Sequence, residues 1–92
     1  MTAASRLRTM LEEPVLRVMP GVFDALSAKL AREAGHKVQF MSGFAVSAAR
    51  LGMPDAGLIS MGEMLDTLRS IVAAAGDVPV IGDGDTGWGN AV

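Results

Sequence analysis

The chain has 92 residues, half of them hydrophobic and a fifth charged, with a net charge of −2 and no cysteine. That length allows one domain with a modest core, and the apolar share excludes a disordered segment. The charge leaves no electrostatic footprint for nucleic acid or an anionic membrane, and the absence of cysteine excludes a disulfide, a thiolate nucleophile or a zinc–thiolate site in this stretch.

From the N-terminus, Leu7, Met10 and Leu11 fall at helical spacing among Arg6, Arg8, Glu12 and Glu13. They predict a short amphipathic helix ending before Pro14. The same segment carries basic residues but is followed by no apolar core of signal-peptide length, and no run approaches the ~18–20 apolar residues of a membrane span. A cytoplasmic chain is the expectation. PVLRVMPG, residues 14–21, is apolar and closed by Pro20-Gly21, which predicts a buried strand. Asp24 then opens a helix, with Leu26, Leu30 and Ala34 along one face and Gly35 as the left-handed residue past its end. Lys29, Arg32 and Glu33 read as its solvated face, and His36, the one histidine, carries no chemistry.

KVQFMSG predicts a second strand ending at Ser42-Gly43, and FAVSAARLG a short helix broken by Gly52 and Pro54. Ser60 and Glu63 form a capping box. Met64, Leu65, Leu68, Ile71, Val72 and Ala75 repeat along one face behind it, and Gly76 closes the helix. VPVIGDGD is the third strand. This alternation is that of an α/β fold with a parallel sheet wound by crossovers, an architecture whose chemistry sits at the carboxyl ends of the strands.

The polar motifs fall there. Asp83 and Asp85 alternate as the chain leaves the third strand, so both can face one side. Two carboxylates that close repel unless a cation joins them, and oxygen ligands suit a hard ion such as magnesium. Gly82, Gly84, Gly87 and Gly89 would let the backbone turn and a ligand approach. The alternative is a solvated Asp/Gly turn. An EF-hand loop fits less well, needing an oxygen ligand where Gly87 stands. At the second strand's end, Ser42 with neighbouring amides suits a carboxylate or phosphate oxygen, or else simply caps a helix. Asp55 reads first as a turn aspartate. Trp88 is a pocket wall or a subunit contact, and the sequence does not choose.

Three blocks, PGVFDALSAKLAREAG, FMSGFAVSAARLGMPDAGLIS and VIGDGDTGWGN, occur in that order from about Pro20 onward. Together they resemble the beginning of enzymes of the isocitrate lyase/phosphoenolpyruvate mutase superfamily. The middle block is closer to the methylisocitrate lyase, dimethylmalate lyase and oxaloacetate decarboxylase-like members. The resemblance implies a (β/α)8 TIM-type barrel that assembles as a homo-oligomer, a tetramer built as a dimer of dimers. It implies a Mg2+ site, or Mn2+, to which Asp83 and Asp85 belong, partly through coordinated water, with Asp83 also lining the substrate site. Asp55 matches the catalytic aspartate near the reacting centre. Ser42 and Gly43 match the residues that hold the substrate's carboxylate or phosphonate group. Phe40 stands where the family often has Tyr or Trp against the substrate, so a mechanism using a phenolic hydroxyl at that position is not supported.

The implied activity is a lyase or decarboxylase acting on small 2-hydroxy or 2-oxo carboxylates through an enolate-like intermediate. A phosphonate P–C mutase, a hydrolase, or a non-catalytic module acting by association are the alternatives. Three strands are predicted, whereas a barrel needs eight and typically ~250 residues. Residues 1–92 therefore read as the N-terminal segment of one barrel domain, ending after the third strand. The family's later glutamate ligand, substrate-clamping arginine and gating loop would lie past Val92. This stretch alone is expected to be inactive, with an open sheet edge prone to association.

Overall fold

The computed structural model describes residues 1–90. Thr2 accepts the Ser5 amide and starts helix α1, Ala3–Glu12, which ends ahead of Pro14 as the sequence predicts. None of its residues is fully buried; Leu7 and Met10 lie half-buried over a cleft shared with Val38 and Ile81.

The segment after it departs from expectation. Residues 14–20 form no strand, and Leu16 is 90% exposed, with Val15 and Val18 also open to solvent. Strand β1 is only Gly21–Val22. Apolar composition suggested burial, but a strand needs a ladder partner. Here Pro14 and Pro20 lack amide donors, and pairing to the neighbouring strand starts where the Phe40 amide reaches the Pro20 carbonyl, 3.0 Å away.

Strands β2, Gln39–Met41, and β3, Val80–Gly82, complete a parallel sheet in the order β1-β2-β3. Gly21 pairs with Phe40 and Phe40 with Ile81; Val22 pairs with Met41 and Met41 with Gly82. Because side chains alternate, Val22, Met41 and Gly82 share one face, and Gly21, Phe40 and Ile81 share the other. The first face is covered by two helices, α2, Ala25–Glu33, and α4, Met61–Ala75. Between β2 and α4 run α3, Gly43–Val46, and a π-helical turn, Ser47–Leu51, closed by Gly52 at φ +63°. The core gathers Val22, Ala28, Met41, Val46, Ile59, Met64 and Ile71.

The helix ends follow the sequence more closely than the helix faces do. Asp24 and Ser27 form a capping box on α2, Ser60 and Glu63 another on α4, and Gly35 and Gly76 take positive φ just past the helices. On α2, however, Leu26 and Leu30 are mostly exposed, Ala34 is exposed, and the buried residue is Ala28. The fully buried Gln39 explains the choice. Its side-chain amide donates to the Ala28 carbonyl at 2.9 Å, drawing the small-residue side of α2 onto β2. On α4 the buried set is Met64, Thr67, Ile71 and Ala75, while Leu65 and Val72 face outward. Thr67 is tolerated inside because its hydroxyl donates to the Glu63 carbonyl, 3.0 Å away.

Candidate active site

Parallel pairing brings the ends of β2 and β3 side by side, so the Ser42-Gly43 turn and the Asp83–Asp85 segment become neighbours although 40 residues separate Gly43 from Asp83 in sequence. The Gly43 amide donates to Asp83 Oδ2 at 2.9 Å, and the Asp85 amide donates to Asp83 Oδ1 at 2.9 Å. Both carboxylate oxygens of Asp83 are thereby fixed by backbone. A β-carbon on Gly43 would stand 2.5 Å from Asp83 Oδ2 and 3.2 Å from Asp85 Oδ1. The two acids thus converge on the one buried position without a side chain, and only glycine leaves them room.

The loop that follows is built for this. Asp85 has φ +46°, a left-handed conformation that Asp tolerates better than most residues, and Gly87 has φ +89°. The Gly87 amide closes the turn on the Gly84 carbonyl at 2.8 Å. Asp83 is half-buried and Asp85 exposed. No lysine or arginine pairs with either among the described residues.

That donor set fits a hard divalent cation. Each carboxylate accepts at about four lone-pair positions, so Asp83 keeps acceptor capacity beyond its two amide bonds. A magnesium ion takes oxygen ligands and commonly retains several waters, so two protein carboxylates are a sufficient share. Among the described residues no cluster of three or more acidic or histidine side chains forms.

Ser42 caps α3: its Oγ accepts the Ala45 amide at 3.2 Å. A hydroxyl that accepts keeps its own proton to donate, so capping and ligand binding are compatible roles here. The Gly43 amide is different. It is engaged by Asp83 and is not open to a ligand in this arrangement. Phe40 lies half-buried on the sheet face opposite the helices. By strand alternation Ser42 and Asp83 continue that face from Phe40 and Ile81.

Asp55 stands apart. It is exposed in the loop after the π-helical turn, with no hydrogen bond to Ser42, Gly43, Asp83 or Asp85. The buried Ser47 donates to the Pro54 carbonyl at 3.1 Å and so holds the peptide that leads into Asp55. Sequence reading gave Ser47 no role, and a serine inside an alanine-rich helix carries no distinguishing signal. It also passed over Arg50, whose guanidinium donates to the Glu63 carbonyl, to Asp66 Oδ2 at 2.8 Å and to Thr67 Oγ1, tying the π-helical turn to α4. Glu63 is held below the ordinary 4.5 of a glutamate, first by the Ser60 backbone amide, then by the Ser60 hydroxyl, with Arg50 adding to it.

Trp88 is a cleft wall. With Met41, Met61, Met64, Leu65, Leu68 and the Gly82–Gly84 backbone it lines an apolar cleft of about 230 Å3 whose rim includes Asp83.

The profile of the phosphoenolpyruvate phosphomutase family matches residues 7–92. The chain is 46% identical to 2,3-dimethylmalate lyase of Eubacterium barkeri across its whole length, covering 32% of that protein. It is likewise 46% identical to the chloroplastic carboxyvinyl-carboxyphosphonate phosphorylmutase of Arabidopsis thaliana, over 96% of this chain and 26% of the relative. Among solved structures, a phosphonopyruvate hydrolase in complex with oxalate and Mg2+ superposes with a TM-score of 0.88 and 38% identity, over 99% of this chain and 31% of that one. The chain therefore spans between about a quarter and a third of the length of these proteins.

Proposed function

Because the chain belongs to the phosphoenolpyruvate phosphomutase family, within the isocitrate lyase/phosphoenolpyruvate mutase superfamily, we propose that it forms the cation-binding opening of an enzyme that cleaves a carbon–carbon bond in small 2-hydroxy or 2-oxo carboxylates. One observation carries the reading: the Asp83 and Asp85 carboxylates converge beside Gly43 at the strand ends, with Asp83 fixed by two backbone amides. The relative solved with oxalate and Mg2+ supports a divalent ion and a small carboxylate at such a site.

Asp83 and Asp85 would hold Mg2+, or Mn2+, with water and substrate oxygens as further ligands. When bound, the ion supplies positive charge that offsets negative charge growing on the substrate oxygen. The Ser42 hydroxyl donates its free proton to a substrate carboxylate. Phe40, lacking a hydroxyl, contributes an apolar wall and takes no proton. Asp55 is assigned a place near the reacting centre and the waters of the cation. Asp55 is exposed and makes no hydrogen bond to Asp83 or Asp85. A barrel domain to which residues 1–92 belong, a homo-oligomeric assembly and a cytoplasmic location belong to the same reading. Among the described residues, no helix is long and apolar enough to cross a membrane.

The test is product release by the full-length protein from a panel of 2-hydroxy acids, 2-oxo acids and phosphonates, with Mg2+ and with chelator. Cation-dependent release of a 2-oxo acid, lost in Asp83→Asn, is the expected result. Turnover of phosphonates alone would move the assignment to P–C chemistry, and activity indifferent to both chelator and Asp83→Asn would end it.

A further inference from the structure

The acidic loop has two ends, and they are secured differently. At the near end Asp83 follows β3 and is bound to Gly43. Asp85, two residues on, is exposed, and its carboxylate accepts no hydrogen bond among the described residues. Its position therefore depends on how the backbone is held beyond it. The far end is Trp88. Its indole Nε1–H donates to the Ile59 carbonyl at 3.1 Å, and Ile59 is a buried core residue directly ahead of the Ser60 cap of α4. The ring packs against the core cluster and faces Met61, Met64 and Leu65 across the cleft.

The backbone of Trp88 confirms that this seat is enforced. Its φ is +53°, a left-handed conformation that is strained for a bulky side chain. Such a conformation persists only where the surroundings over-determine it. Here the indole hydrogen bond and the apolar seat do so. Five residues, 83–87, span the interval between β3 and this anchor, two of them at positive φ and none in a helix or strand.

We infer that Trp88 is a positioning residue: by clamping the far end of the loop to the start of α4 it fixes where Asp85, and through the Asp85 amide Asp83, stand beside Gly43. The inference rests on the carboxylate-pair reading above for what the loop holds, but the positioning itself is independent of any bound ion. The loop consequently bridges two helix beginnings, α3 through Asp83 and α4 through Trp88.

Two variants test it. Trp88→Phe keeps an aromatic ring in the cleft and removes the N–H donor; Trp88→Ala removes both. The first readout is amide hydrogen exchange, which needs no cation. In Trp88→Phe the Gly43 and Asp85 amides are expected to exchange about 3- to 10-fold faster, the equivalent of one lost hydrogen bond, while Ile71 in the middle of α4 keeps its rate. Trp88→Ala should accelerate them further. The second readout is Mn2+ affinity by electron paramagnetic resonance, expected to fall about 3- to 10-fold in Trp88→Phe. Unchanged exchange at Gly43 and Asp85 in Trp88→Phe, or equal acceleration at Ile71, would overturn the positioning role. Mn2+ binding that is absent, or equal in wild type and Asp83→Asn, would instead overturn the carboxylate-pair reading and leave the exchange result to decide the inference.

Discussion

Helices α3 and α4 both begin on a serine, yet they satisfy their first amides from different places. At α4 everything is local: the Ser60 hydroxyl accepts the Glu63 amide at 3.2 Å and the Glu63 carboxylate accepts the Ser60 amide at 3.0 Å. At α3 the Ser42 hydroxyl accepts the Ala45 amide, but the Gly43 amide is taken by a carboxylate from the far side of the chain. A cap closed within four residues acts on its own helix. A cap completed by Asp83 couples the start of α3 to the acidic loop, so the same bond serves the fold and the site. The short α3 and the long α4 differ accordingly in what a mutation at their first turn should disturb.

The sharpest way to break this contrast is Gly43→Ala. A methyl there meets Asp83 Oδ2 at 2.5 Å, so the carboxylate must leave. Cation affinity is expected to fall about 10- to 100-fold, the usual consequence of displacing groups that orient metal ligands. The counterpart at α4, Gly62→Ala, meets only Ser60 Oγ at 3.9 Å and should leave affinity unchanged. A Gly43→Ala protein that binds Mn2+ like wild type would dissolve the distinction.

Serine-to-alanine changes at the two caps come next. Ser60→Ala should lower stability by about 1 kcal/mol in denaturant unfolding, with no change in cation affinity or in KM. Ser42→Ala should cost a similar ~1 kcal/mol and, in the full-length protein, also raise KM for a carboxylate substrate roughly 3- to 10-fold through loss of the hydroxyl donor. Equal KM in the two variants would mean that Ser42 only caps.

The smallest effect concerns pH at α4. Glu63 is held below its ordinary 4.5 by the Ser60 amide and hydroxyl and by Arg50. A depressed carboxyl contributes stability that is present above the unfolded value and lost as pH falls through the folded one. The melting-temperature gap between wild type and Glu63→Gln should therefore persist at about pH 6 and close as the pH drops below the glutamate's ordinary value. A gap that widens on acidification would contradict the sign.

Legibility in the sequence followed the range of the interactions. The α4 capping box, the Asp24 cap, the glycines past α2 and α4, and the ends of β2 and β3 depend on residues a few positions apart, and the structure has them. Residues 14–20 were misread because an apolar run does not announce whether a partner strand exists. Which side of α2 is buried was not legible, because the buried Gln39 selects the Ala28 side, which periodicity of large apolar residues does not reveal. At the site, the acidic pair and the Ser42 turn were visible as motifs. The engagement of Gly43 by Asp83 and the clasp between Trp88 and Ile59 were not.

By itself the sequence determined the order of elements, the helix starts and the presence of two closely spaced acids after a strand, because each depends on backbone preference and hydrogen bonding over a few residues. Only the tertiary structure decided which glycine those acids crowd and which carbonyl anchors their loop. Those contacts form across β2, β3 and α4 once the parallel register is set, and no local preference encodes a register between segments 40 residues apart.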